Sequence, residues 1–103
     1  MVDKTQQKRF RTIGHQLNPI VTIGGNGFSD SVLAELQRAL EDHELIKVKI
    51  HADDRDDRRE TIASLVELTK SELIQSIGNV ALIYRAAAKP QQGLSNILRS
   101  GVL

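Results

Sequence analysis

Gly24, Gly25, Asn26 and Gly27 form a G-x-x-G run, the set of residues in this chain most suited to chemistry. Glycine and asparagine accept positive φ at little steric cost, and a backbone without side chains can approach a ligand closely. The run closes an apolar segment at residues 20–23 and opens a helical pattern at Ser29. A helix starting there would aim its free N–H groups and its positive dipole end at the same spot, which suits a phosphate, including that of a nucleic acid backbone. No Gly-Lys-Ser/Thr follows, so the run is not a P-loop. It also lacks the third glycine and the later acidic residue of a dinucleotide fingerprint. Two readings remain: a tight strand-to-helix turn, and a backbone-clamping loop of the KH type. Asp30 in the first helical turn would repel a phosphate on the helix axis, so the amides of Gly25, Asn26 and Gly27 are the expected donors.

Basic residues could extend such a site. Lys47 and Lys49 alternate with Ile46, Val48 and Ile50 along residues 45–51, so they share the solvated face of a strand. Lys8, Arg9 and Arg11 belong to a basic first helix, and Arg85 ends the last strand. Each has a plain alternative: a solvated sheet face, a solubilising helix, a partner for a carboxylate. The net charge of +1 conceals an uneven distribution. Lys4, Lys8, Arg9 and Arg11 against Asp3 give +3 over residues 1–15, while Asp30, Glu35, Glu41, Asp42 and Glu44 against Arg38 give −4 over residues 30–44. A local basic patch suffices for a nucleic acid, whatever the net charge.

Other chemistry finds little support. There is no cysteine, and His15, His43 and His51 lack metal-ligand spacing. Asp53, Asp54, Asp56 and Asp57 lack the glycine and terminal glutamate of a calcium loop, and Arg55, Arg58 and Arg59 interleave them, so they read as a helix start. Ser29, Ser31 and His43 have no supporting nucleophile pattern, so no enzyme, metal or cofactor is expected. Only Phe10, Phe28 and Tyr84 are aromatic, which favours backbone and shape recognition over base reading. No segment is apolar enough to span a membrane and the start is polar, so a cytoplasmic protein is expected.

These residues need a frame. At 103 residues the chain is one domain. Residues 4–14 read as a helix with apolar Phe10 and Ile13, ended at Gly14 as a C-cap. Asn18-Pro19 marks a turn, and residues 20–23 a short strand. Ser29 is an N-cap, Phe28 and Leu33 a hydrophobic staple, and Val32, Leu33, Leu36, Ala39 and Leu40 an apolar stripe. After the strand at 45–51 comes a helix at 55–69, with Ile62, Leu65, Val66 and Thr69 inward. Strands at 73–77 and 80–85 flank a Gly78-Asn79 hairpin turn. The order αβαβαββ predicts a two-layer α/β fold with a mixed four-stranded sheet, helices on one face and Lys47 and Lys49 on the other. Residues 87–103 read as a mobile or loosely docked tail in which Leu94, Ile97 and Leu98 form one amphipathic turn.

Taken together, His15 to Gly27, Leu45-Ile-Lys-Val-Lys-Ile50, Ile77-Gly78 and Tyr84-Arg85 resemble, in order and spacing, the YhbY-like proteins. These are single-domain bacterial members of the chloroplast RNA splicing and ribosome maturation (CRM) domain family. The resemblance covers residues 4–86 and implies a domain at 1–86 similar to the C-terminal domain of translation initiation factor three. It implies an RNA-binding protein associated with large-ribosomal-subunit precursors, with Gly24 to Gly27 as the RNA-contacting loop and Lys47 and Lys49 nearby. Ribosomal RNA is then the expected partner and a monomer the expected state. The competing reading is a protein-interaction module that docks through the acidic second helix or the tail.

Overall fold

Local signals start and stop the helices where the sequence places them. The computed structural model describes residues 2–25 and 27–100. Helix α1 (Lys4–Gly14) opens on a capping box: the Asp3 carboxylate accepts from the Gln6 N–H at 2.8 Å, and the Gln6 amide oxygen accepts from the Asp3 N–H at 3.3 Å. Strand β1 (Pro19–Ile23) follows, then α2 (Asp30–His43), capped by the Ser29 hydroxyl on the Val32 N–H. Strand β2 (Leu45–Ile50) leads to α3 (Arg55–Thr69), whose cap is Asp54 on the Asp57 N–H at 2.8 Å. Strands β3 (Glu72–Ile77) and β4 (Val80–Tyr84) close the chain order αβαβαββ. Of the two residues in their turn only Gly78 has positive φ, as a type II′ hairpin needs of its first central residue.

The four strands form one mixed sheet in the order β1-β2-β4-β3, with β1 and β2 parallel and the other pairs antiparallel. Alternation along the strands splits the core in two. Ile46, Val48, Ile50, Ala81 and Ile83 face α2 and α3 and pack with Leu36, Leu40, Ile62 and Leu65. Phe28 and Leu33 are partly buried against this larger core. Leu45, Ile74 and Leu82 face the other way and are covered by Phe10 and Ile13 of α1 and by Ile97. The first helix thus lies across the sheet face opposite α2 and α3, a placement the strand order alone leaves open. It adds a partial third layer, so only part of that face stays solvated.

Gly14 differs from its expected role. The residue after it, His15, keeps right-handed helical angles, so Gly14 is no left-handed cap. A Cβ at Gly14 would lie 2.6 Å from a Leu82 methyl, so the glycine instead permits close approach of α1 to the sheet. The left-handed cap is Lys70 after α3, while Glu44 ends α2 at φ +63°.

Residues 87–100 contain no helix or strand, yet they are bonded to the domain more closely than the sequence predicts. The buried Glu44 carboxylate accepts from the Ser95 hydroxyl at 2.6 Å and the Ala87 N–H at 2.9 Å. Asn96 donates from its backbone to the His43 carbonyl at 2.9 Å and from its side chain to the Leu45 carbonyl at 2.7 Å. Strand β1 begins opposite Lys47, so Asn96 covers the edge of β2 that β1 leaves open. Polar pairing fixes this segment, and periodicity of apolar residues does not reveal it.

Candidate nucleic-acid interface

The glycine run turns between β1 and α2. Gly27 has φ +70°, and its N–H donates to the Gly24 carbonyl at 3.0 Å, closing a four-residue turn. The expected Gly27 donor to a ligand is therefore engaged within the loop. The Gly25 amide donates to no described residue, and Asn26 lies outside the described residues. A Cβ built at Gly24 or Gly25 meets nothing within 4 Å. Backbone conformation thus requires glycine at 27, but internal packing does not require it at 24 or 25. The bare backbone there faces open space.

One side of the loop is acidic. A groove of about 310 Å³ runs between Gly24, Gly25 and Gly27 on one wall and His51, Asp53, Asp57 and Glu60 on the other. The acidic run does start a helix, with Asp57 also accepting from the Asp53 N–H at 3.1 Å. Because β1 and β2 are parallel, their C-terminal ends lie side by side, which brings residues 51–60 against the loop. Parallel pairing was the signal that could have revealed this wall. Among the described residues no group of three or more His, Cys, Asp or Glu could hold a metal ion.

The other side is basic. Lys49 pairs in register with Thr22, two residues before Gly24, and Lys47 pairs with Pro19. Both point to the α1 side of the sheet, about 6.6 Å apart along the strand. Lys49 is exposed and Lys47 half-buried, and neither forms an ion pair among the described residues. A phosphate reaching the loop over Lys49 avoids the carboxylates of the groove.

Arg85 does not join this surface. Its guanidinium donates to the Gln37 side chain, to the Thr69 carbonyl at 2.9 Å and to the Gln37 carbonyl at 3.2 Å, and lies 3.9 Å from Glu41. It ties β4 to α2 and to the end of α3, on the far side of the sheet, and its role is structural. Of the α1 cations, Lys8 is exposed and Arg11 half-buried. Arg9 donates to the Ile97 carbonyl at 3.5 Å and sits 6.0 Å from the Phe10 ring centre, so it also helps seat residues 87–100. Tyr84 stacks on Phe10 with ring centres 4.6 Å apart and serves the smaller core.

Part of the acidic patch on α2 is engaged within the fold. Glu44 is buried beneath the C-terminal segment, Glu41 meets Arg85 and the Ala88 N–H, and Asp42 lies 3.9 Å from Arg38. Ile97, one of the apolar residues offered to a partner, is itself buried. Glu41, Glu44 and Ile97 are thus used within the chain, while Asp30, Glu35, Leu94 and Leu98 stay exposed.

A glycine turn between a strand and a helix on a mixed sheet, near lysines with no ion pair among the described residues, defines a small α/β domain. The chain belongs to the CRS1/YhbY (CRM) domain family, whose model matches residues 2–85. A Pseudomonas aeruginosa relative, named a candidate RNA-binding protein, is 52% identical over 94 residues, covering 91% of this chain and 90% of its own. A Haemophilus influenzae relative named RNA-binding protein is 45% identical over 82 residues, covering 79% and 83%. The solution structure of a Staphylococcus aureus protein, described as a candidate RNA binder, matches with a TM-score of 0.75 at 35% identity, covering 86% of this chain and 93% of that one. No helix among the described residues is long and apolar enough to cross a membrane.

Proposed function

We propose that this chain is a non-enzymatic RNA-binding protein that acts in assembly of the large ribosomal subunit. The observation that carries the reading is Lys49 and Lys47, unpaired on the open part of the sheet, beside a loop whose Gly24 and Gly25 no internal contact explains. The RNA backbone lies over the Gly25 amide and follows the two lysines, with Lys8 and Arg11 of α1 adding charge. It approaches from the lysine side because Asp53, Asp57 and Glu60 repel it from the other. The names of the relatives support RNA as the ligand, and the resemblance to YhbY-like proteins directs the proposal to ribosomal precursors.

Binding driven by phosphate contacts weakens steeply with salt. The purified protein should bind structured ribosomal RNA at 50 mM salt and lose most of that affinity by 300 mM; an affinity that does not change would refute phosphate capture. In cell extract it should sediment with large-subunit precursors and leave them on nuclease treatment. Comigration that survives nuclease would replace RNA with a protein partner.

A further inference from the structure

The part of the sheet that α1 leaves open is not merely basic. Two rows of side chains cross it in register: Thr22, Lys49, Val80 and Ile77 in one, and Pro19, Lys47, Leu82 and Gln75 in the other. Pro19, Lys47, Gln75, Ile77, Val80 and Leu82 of these rows, with His15 at the end of α1, line a shallow basin of about 220 Å³, and Lys49 borders it through its register with Val80. Its floor is aliphatic, and Ile77 is 63% exposed there, the highest exposure of any large apolar side chain among the described residues. A phosphate alone has no use for such a floor. The basin is also smaller than the roughly 300–1,000 Å³ of drug-sized sites.

A nucleotide combines the two features required: a flat apolar ring face and an anion beside it. We propose that the basin takes one unpaired nucleobase of the bound RNA, stacked on Ile77 and Val80, with its flanking phosphates on Lys47 and Lys49. Gln75 and His15 line the basin and supply polar groups for the edge of the base. This rests on the RNA-binding reading above and sharpens it from RNA in general to RNA with an exposed base. A base stacked inside an A-form duplex cannot enter, because its ring faces are covered by its neighbours.

The test is fluorescence anisotropy with three ligands: a single-stranded ten-nucleotide RNA, the same sequence as a duplex, and the single strand with abasic sites. The single strand should bind tightest, and the abasic strand should lose roughly fivefold or more, as expected for taking about 40 Å² of apolar surface out of water. Ile77→Ser, at an exposed position, should keep the thermal midpoint. It should weaken the single strand by a similar factor, leave duplex binding alone and leave the salt slope unchanged. Gln75→Ala should do the same to a lesser degree. Equal binding of abasic and intact strands, with steep salt dependence retained, would overturn the base site and leave phosphate capture standing. Equal loss on duplex and single strand in Ile77→Ser would overturn it too. Failure of the wild-type chain to bind any of the three at low salt would remove both readings. A dimer in sedimentation that Ile77→Ser dissolves, with RNA affinity unchanged, would give the basin to a second copy of the chain.

Discussion

Arg85 and Lys49 stand on the two sides of the same sheet and illustrate what separates a structural cation from a binding one. Arg85 faces the layer closed by α2 and α3, where its two terminal nitrogens meet two acceptors from Gln37, one from Thr69 and a carboxylate from Glu41. Lys49 faces the layer that α1 only partly covers, and no described carboxylate meets it. In sequence the two are alike, each a basic residue at or near a strand end. The difference lies in whether another layer covers that face. A cation beneath a helix is matched by the fold, whereas a cation on a bare face stays available to an outside anion.

This contrast can be tested from its strongest consequence downward. Reversing both Lys47 and Lys49 to Glu should reduce RNA affinity by about two orders of magnitude at low salt. Replacing both by Gln should lower the slope of log affinity against log salt by about 1.4 for single-stranded RNA. Either is read by anisotropy titration, and an unchanged slope would place the phosphates elsewhere. Arg85→Ala should show the opposite profile. It removes hydrogen bonds from a charged group at a helix junction, so unfolding in urea should report a loss of about 2 kcal/mol. RNA affinity of the folded variant should be unaltered. Gly25→Asp should weaken RNA binding about tenfold while moving stability by less than about 0.5 kcal/mol, as expected for a residue facing open space. Gly27→Ala should instead destabilise by about 1 kcal/mol, because its φ is left-handed.

The smallest effect concerns Tyr84, on the partly covered face. Burial chiefly, then the nearby Glu44 and Glu72 carboxylates, raise its phenol above the ordinary value of 10.0. The folded state therefore holds this proton more firmly than the unfolded one. The stability it contributes is present below pH 10 and is lost as pH rises through the folded-state value. Phenolate absorbance should appear only above pH 10, and earlier in a Phe10→Ala variant that uncovers the ring.

The fold was legible because its signals are local. Ser29 marks a helix start in the sequence and caps it in the structure, and the alternation of Ile46, Lys47, Val48, Lys49 and Ile50 fixes both strand and face. The candidate site was half legible. Strand register sets Lys49 beside Thr22, close to Gly24 and Gly25, with Lys47 further along the same face opposite Pro19. Arg85 misled because its partners Gln37 and Thr69 lie 48 and 16 residues away, and no spacing rule connects them. The acidic wall of the loop groove was not read, although the strand-helix-strand order that makes β1 and β2 parallel sets residues 51–60 beside the loop. Gly14 looked like a cap because glycine usually is one there, while its actual constraint, the Leu82 methyl, comes from 68 residues further along. The C-terminal segment was missed because Glu44, Ser95 and Asn96 form no pattern until they are brought together.

That last contact has a bearing on solubility. A strand edge with unpaired carbonyl and amide groups is a template for another chain to add to. Strand β2 outruns its neighbour at Leu45, and the Asn96 side chain occupies the carbonyl that an incoming strand would otherwise find. The C-terminal segment therefore acts as a guard on an otherwise adhesive edge. Cutting the chain short of Asn96 would free the Leu45 carbonyl for an added strand and should raise the tendency to associate through the sheet edge.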